Sequence, residues 1–272
     1  MGKNKLKKFA EMETFANVFQ CAIGRLNAEG KFESKEDTAV AEMRGHWNEK
    51  FFHNDNPIVL ELGCGRGEYT VGLAALNPDK NFIGVDIKGA RLWAGAKEAT
   101  EKNMSNVAFL RTNIEMLHKF FSPDEISEIW ITFPDPQMKK ATKRLTSSFF
   151  MQRYQEVMRD GGLIHLKTDS PFLSTYTREM IRVNNYEVVA DSNDLYSQCT
   201  MHDGLCTLKE ATMLQTHYEK QWLDRGMTIK YITWKLQKKS EFIEPTIEIE
   251  KDTYRSYGRN YQANNLNHQS II

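Results

Sequence analysis

Apolar positions along this chain fall into short runs rich in valine, isoleucine and phenylalanine, separated by longer stretches in which they recur every three to four residues. Pro57 to Leu62, Asn81 to Asp86, Asn106 to Leu110, Ile126 to Phe133 and Leu163 to Thr168 read as buried strands. Glu68 to Leu76, Lys88 to Lys102, Ile114 to Phe121, Ser147 to Arg159 and Pro171 to Asn184 have the length and spacing of helices between them. This alternation predicts an α/β fold with a doubly wound, mostly parallel sheet covered on both faces. Tyr186 to Ala190 and Met227 to Leu236 are strand-like and flank a helix near Ala211 to Arg225, which predicts a terminal antiparallel hairpin and seven strands in all.

The ends follow a different pattern. Residues 1–50 hold a basic tail and a helix-like stretch, Thr38 to Phe51, and residues 239–272 are polar and unpatterned, so both are expected as frayed extensions of a single domain spanning 51–238. At 272 residues and 40% apolar content the chain can bury one substantial core. Lys plus Arg equals Asp plus Glu at 36 each, so any contact with nucleic acid has to be local. No run nears the roughly 18 apolar residues of a membrane span, and the Lys-rich start leads into no apolar leader segment, so a cytoplasmic protein with no membrane partner is expected. Cys199, His202 and Cys206 have ligand-like spacing but lack an obvious fourth ligand, and no metal is expected.

The first strand runs into Glu61-Leu62-Gly63-Cys64-Gly65-Arg66-Gly67 and on into a helix. Glycines at alternate positions allow a sharp turn and close approach to a ligand. Nineteen residues after Gly67, the second strand ends in Asp86, where a doubly wound sheet presents an acid to a ribose. A dinucleotide fingerprint spaces its glycines as G-x-G-x-x-G, whereas this loop reads G-x-G-x-G and carries Glu61 ahead of it, where an acid could pair with an α-amino group. The E-L-G-C-G-x-G loop followed by G-V-D resembles the Rossmann-like class I methyltransferases that bind S-adenosylmethionine. That resemblance implies that Gly63, Gly65 and Gly67 line the methionine side, Asp86 holds the ribose and Asn113 approaches the adenine.

The fourth strand ends in Phe133-Pro134-Asp135-Pro136, which holds Asp135 on a stiff, non-helical mount at the ligand-binding edge of the sheet. A turn or helix-capping aspartate is the plain alternative. Asp169 ends the next strand and is expected to face the same cleft. Lys139, Lys140, Lys143 and Arg144 form a basic cluster suited to phosphate contacts, with a solvated charge run as the alternative. Thr216 and Glu219 lie on one helical face, and a capping box explains them equally well.

F-P-D-P-x-x-K, T-D after the fifth strand and T-x-Y-E before the last strand together resemble the bacterial tRNA (guanine-N7)-methyltransferases over most of residues 57–236. The resemblance implies methylation of the guanine at position 46 of the tRNA variable region. It implies that Glu61, Asp86, Asn113 and Asp135 bind S-adenosylmethionine and that Lys139, Asp169, Thr216 and Glu219 meet the tRNA guanine or its surroundings, with Lys140, Lys143 and Arg144 on the RNA. Two departures touch the RNA grip: Gln137 stands where the family usually has Trp, and the basic run before Leu145 is shorter. Guanine N7 has a lone pair and no proton, so its methylation needs alignment more than a base, and a carboxylate such as Asp135 can stabilise the positive charge that develops. The rival readings are a methyltransferase of small molecules or proteins and a non-catalytic RNA-binding protein on the same fold.

Overall fold

The computed structural model describes residues 3–21, 39–197 and 209–253. Its core is one sheet in the order β1-β4-β3-β2-β5-β6-β8-β7, built from β1 (Val18–Gln20), β2 (Ile58–Leu62), β3 (Asn81–Val85), β4 (Val107–Arg111), β5 (Ile126–Thr132), β6 (Met158–Thr168), β7 (Val188–Ser192) and β8 (Lys230–Leu236). The first six pair in parallel, and β8 runs antiparallel to both β6 and β7. The helices are α1 (Lys3–Met12), α2 (Glu68–Leu76), α3 (Gly89–Glu101), α4 (Ser148–Tyr154), α5 (Pro171–Val183), α6 (Lys209–Met213) and α7 (His217–Leu223).

Strand alternation sorts the core into two layers. Ile58, Leu60, Leu62, Ile129 and Ile131 face a layer that includes Trp47, Phe120, Tyr154 and Tyr176, whereas Val59 and Trp130 face one with Tyr69, Leu92 and Phe109. Every residue of β2, β3 and β5 is buried because helices cover both faces, which is why these strands read as continuous apolar runs. From β2 the chain winds outward through β3 and β4, then returns to the other side of β2 at β5. The reversal leaves a crevice where the carboxyl ends of β2 and β5 diverge.

Several expectations from the pattern need correction. The sheet has eight strands rather than seven, because Val18–Gln20 extends it beside β4. The Ile114 to Phe121 stretch forms a 3₁₀ helix over Ile114–Lys119, the end of the Thr38 to Phe51 stretch forms a π-helix over Asn48–Phe52, and the Ala211 to Arg225 stretch breaks into α6 and α7. Cys199, His202 and Cys206 lie outside the described residues. Among the described residues no cluster of metal-binding side chains occurs, and no helix is long and apolar enough to cross a membrane.

Nor do the described flanks fray. Helix α1 lies on α3, where Glu11 accepts from Trp93 Nε1 at 2.8 Å and from Lys97 at 3.2 Å, and Trp47 is fully buried with its Nε1 donating to the Phe120 carbonyl at 2.9 Å. After β8 the chain becomes a strap across α4 and α5. Asn184 exchanges two 2.8 Å hydrogen bonds with the backbone of Ile243, Glu244 accepts from Ser148 Oγ at 2.7 Å, and Asp252 accepts from the Ser170 hydroxyl and from Phe172 N at 3.0 Å. Polar side chains anchored to free backbone groups do this work, and they leave no hydrophobic period in the sequence.

Under the sheet's second layer, Glu128 Oε1 accepts from Trp130 Nε1 at 2.6 Å and lies 3.1 Å from His165 Nε2 in a contact that lacks hydrogen-bond alignment, while Oε2 meets Lys80 at 2.9 Å. Burial pushes the Glu128 carboxyl up, but the His165 ring and the Lys80 ammonium outweigh burial and bring it down to about 2. A carboxyl depressed from 4.5 contributes stability that is complete above about pH 4.5 and is lost as pH falls toward 2. Urea unfolding followed from about pH 5 to about pH 2 is expected to show this loss, with a shallower slope in Glu128→Gln.

Candidate active site

The crevice begins at the turn after β2. Gly63 and Gly65 take left-handed φ values of 73° and 56°, and the amides of Gly63 and Cys64 both donate to the Val85 carbonyl, at 2.8 and 3.1 Å. Asp86 follows β3 and accepts from Gly65 N at 3.0 Å through Oδ2 and from Lys88 N at 2.7 Å through Oδ1. Backbone amides on both oxygens fix the carboxylate while leaving each oxygen a further lone pair for a ligand.

Glu61, on β2, is buried between three elements. Its Oε2 accepts from Thr70 N at 2.8 Å and from the Thr70 hydroxyl, and its Oε1 accepts from Thr132 Oγ1 at 2.7 Å. Burial pushes its carboxyl up to about 7 against the pull of these hydrogen bonds. A cation beside it would restore the charge, and an α-ammonium has that chemistry.

At the end of β5, Phe133 has a left-handed φ of 48°, unusual for an aromatic residue, and its N–H donates to the Lys167 carbonyl at 2.8 Å. Asp135 is exposed, and its Oδ1 accepts from Gln137 N at 3.0 Å. Two cavities meet here. One of about 360 Å³ includes Asp86, Thr112, Asn113, Ile114 and Leu145 in its walls, and one of about 570 Å³ includes Glu61, Gly65, Tyr69, Thr216, His217 and Tyr218. Gly63, Lys88, Arg91, Phe133 and Asp135 line both. The set fits S-adenosylmethionine: an apolar recess with Asp86 and Asn113 suits a nucleoside, and the glycine turn beside Glu61 suits an amino-acid arm.

The other sequence-predicted residues divide. Thr216 lines the larger cavity, and Lys143 lines the smaller one while pairing with Glu115 at 3.0 Å. Lys139 and Lys140 are exposed and line neither. Arg144 turns inward, donating to the carbonyls of Gln137 and Met138 at 3.2 Å each and stacking on Tyr176 at 4.3 Å, so it braces the loop instead of facing RNA. Asp169 is fully buried and lines neither cavity, so the expected pair of acids in one cleft does not form. The strap residue Asp252 encloses that corner through Ser170 and Phe172. Gly67 also misses the cavities. It begins α2 at φ 72°, where a Cβ would lie 2.6 Å from the Phe109 ring, so its role is close helix packing.

Glu219 is likewise fully buried and forms an ion pair with Lys167 at 2.7 Å. Only half of the capping box exists: Thr216 Oγ1 accepts from Glu219 N at 3.1 Å, while the Glu219 side chain goes to Lys167. Burial pulls the Lys167 ammonium down to about 8 against the stabilising charge of Glu219. Sequence reasoning missed Lys88, Arg91, Phe133, His217 and Tyr218 as cavity residues. The offset from Asp86 could have signalled Lys88 and Arg91, whereas nothing in a phenylalanine announces a left-handed φ.

Comparison with known proteins accords with this geometry. The family described as a putative methyltransferase matches residues 55–232. The tRNA (guanine-N(7)-)-methyltransferase of Bacteroides fragilis is 54% identical over 97% of this chain and 98% of its own length, and that of Clostridioides difficile is 33% identical over 73% and 88%. Among solved structures, the 16S rRNA methyltransferase KamB aligns with a TM-score of 0.51 at 12% identity, over 78% of this chain and 98% of its own, a likeness of fold.

The glycines are expected to separate by experiment. Gly67→Ala introduces both a left-handed alanine and a clash, so a loss of roughly 2–4 kcal/mol is expected in denaturant unfolding. The nearest contact of an added Cβ at Gly63 is Leu145 at 3.9 Å, so Gly63→Ala is expected to unfold with a loss of only about 1–2 kcal/mol and to show its larger effect in S-adenosylmethionine binding by calorimetry.

Proposed function

Because the chain belongs to the tRNA (guanine-N(7)-)-methyltransferase family, we infer that it transfers the methyl group of S-adenosylmethionine to N7 of a guanine in tRNA. The observation that carries the reading is the junction of the two cavities at Phe133 and Asp135: a cofactor with its nucleoside in the smaller cavity and its amino-acid arm beside Glu61 in the larger brings its sulfonium to that junction, within reach of a flat base entering the larger cavity by Thr216 and Tyr218. The bound cofactor supplies an electrophilic sulfonium methyl. Asp86 and Asn113 hold the nucleoside, and Glu61 with Gly63 and Gly65 holds the amino-acid arm. Asp135 stands where guanine acquires positive charge and stabilises that charge as it develops. No residue needs to remove a proton from N7, so alignment of the base accounts for most of the rate.

On the RNA side, Thr216 meets the base within the larger cavity, and Lys139 and Lys140 contact phosphates outside it, where their exposure suits them to the backbone. Asp169 contributes from behind the cavity wall, at the corner between β6 and α5. The target is the guanine at position 46 of the variable loop, and the enzyme works in the cytoplasm with its tRNA. Asp135→Ala is expected to lower methyl transfer to tRNA by at least about 100-fold while leaving unfolding unchanged. Labelled-methyl incorporation, with cleavage mapping at 7-methylguanosine, checks both the reaction and the position. Near-normal turnover would remove Asp135 from the chemistry.

Cofactor binding should depend on pH through Glu61. With its carboxyl raised to about 7, the residue is largely neutral at lower pH, and binding an ammonium there requires loss of a proton. Affinity for S-adenosylmethionine is therefore expected to fall by about tenfold per pH unit below 7. Calorimetry in buffers of different ionisation enthalpy measures the released proton, and Glu61→Gln should remove both the release and the slope.

A further inference from the structure

Lys167 joins the two walls of the larger cavity. Its carbonyl accepts from Phe133 N at 2.8 Å and holds that residue's left-handed turn. Its fully buried ammonium lies 2.7 and 2.9 Å from the two oxygens of Glu219, 2.6 Å from the Ala211 carbonyl and 3.0 Å from the Leu214 carbonyl, with the hydroxyls of Tyr69 and Tyr196 each at 3.3 Å. Ala211 and Leu214 stand before Thr216, His217 and Tyr218, and Glu219 follows them, so the ammonium fixes both ends of the segment that lines the cavity. Across it, the rings of Phe133 and Tyr218 stand 6.4 Å apart at 66°. One side chain and its own backbone thus set the separation of two aromatic rings at the point where the cavities meet.

Glu219 has no edge in either cavity. One oxygen is shared between Lys167 and the Tyr196 hydroxyl at 2.6 Å, the other is held by Lys167, and its backbone N–H is capped by Thr216. We propose that Lys167 is a positioning residue that sets the edge-to-face Phe133–Tyr218 pair, on whose open face the target guanine stacks, and that Glu219 serves the site only through Lys167, without touching the base. This rests on the methyl-transfer reading above. A flat purine stacked on a ring whose place is fixed from below gains stacking energy and enters already oriented toward the methyl donor.

Two substitutions separate positioning from contact. Glu219→Gln removes the charge that Lys167 pairs with, so its effect on the KM for tRNA is expected to require Lys167: added to Lys167→Met, it should raise the KM by less than about threefold further. Lys167→Met keeps the carbonyl that holds Phe133 but releases the Ala211–Glu219 segment, so the KM for tRNA should rise at least about tenfold, while the Kd for S-adenosylmethionine stays within about threefold. A carboxylate that contacted the guanine edge would give the reverse: a further large rise when Glu219→Gln is added to Lys167→Met, because an amide cannot accept from both guanine N–H groups, and little in Lys167→Met alone. That reversal, or an unchanged KM in Lys167→Met, overturns the proposal. If Lys167→Met does not fold, Tyr196→Phe takes its place, with a KM rise of at least about threefold expected and an unchanged KM counting against it. An unmodified enzyme that binds the cofactor yet transfers no methyl to tRNA would refute the functional reading itself, which the same assays distinguish.

Discussion

Glu61 is a carboxylate buried where the sheet reverses its winding, and the rest of the site is arranged around what it needs. Its oxygens tie β2 to the start of α2 through Thr70 and to β5 through Thr132. A single side chain therefore holds together the two strands that part to form the crevice. The arrangement is costly for an anion, as its raised protonation range shows, and it resolves when a cation arrives. The glycine turn and Phe133 in its left-handed turn follow the strand ends that Glu61 and Thr132 fix, and Asp86, at the end of neighbouring β3, is tied to that turn through Gly65 N.

Charge is organised by the same economy of place. The chain is neutral overall, and many of its exposed bases are matched: Lys97 with Glu11 and Glu101, Lys102 with Glu98, Arg178 with Asp191, Arg182 with Glu179, Lys235 with Glu187. Lys88 and Arg91 on the wall shared by the two cavities, with Lys139 and Lys140 on the loop after β5, have no ion-pair partner among the described residues. Lys88 and Arg91 also sit at the start of α3, whose first turn carries no acid, so the helix dipole adds to their field. Asp86 and Asp135 share those walls, so it is the unmatched bases rather than a net positive charge that offer a phosphate backbone its local contacts.

The parallel core was legible because burial on both faces writes itself as unbroken apolar runs, and the glycine loop and Asp86 were legible because a close ligand restricts both spacing and residue type. The substrate side was legible only as motifs. Thr216 lines the cavity, but Asp169 and Glu219 lie behind the walls, and Arg144 braces a loop: sequence spacing places an acid or a base near a site without saying which way it turns. Phe133 stayed hidden because its importance lies in a backbone angle held by the hydrogen bond to the Lys167 carbonyl. The carboxyl-terminal strap stayed hidden because it docks through single polar anchors without a period, at Asn184, Glu244 and Asp252.

The strap has a consequence in time. A ribosome makes the chain from the amino terminus, and domains can begin folding as they emerge. The glycine loop, Asp86 and Asp135 have all been made well before residue 252, whereas the corner holding Asp169 and Ser170 gains its Asp252 cap from a residue 82 positions after Ser170. The half of the site around the glycine loop can therefore assemble on a nascent chain, whereas the half backed by Asp169 and Ser170 waits for a cap made much later. Synthesis itself sets the order in which the two halves become ready.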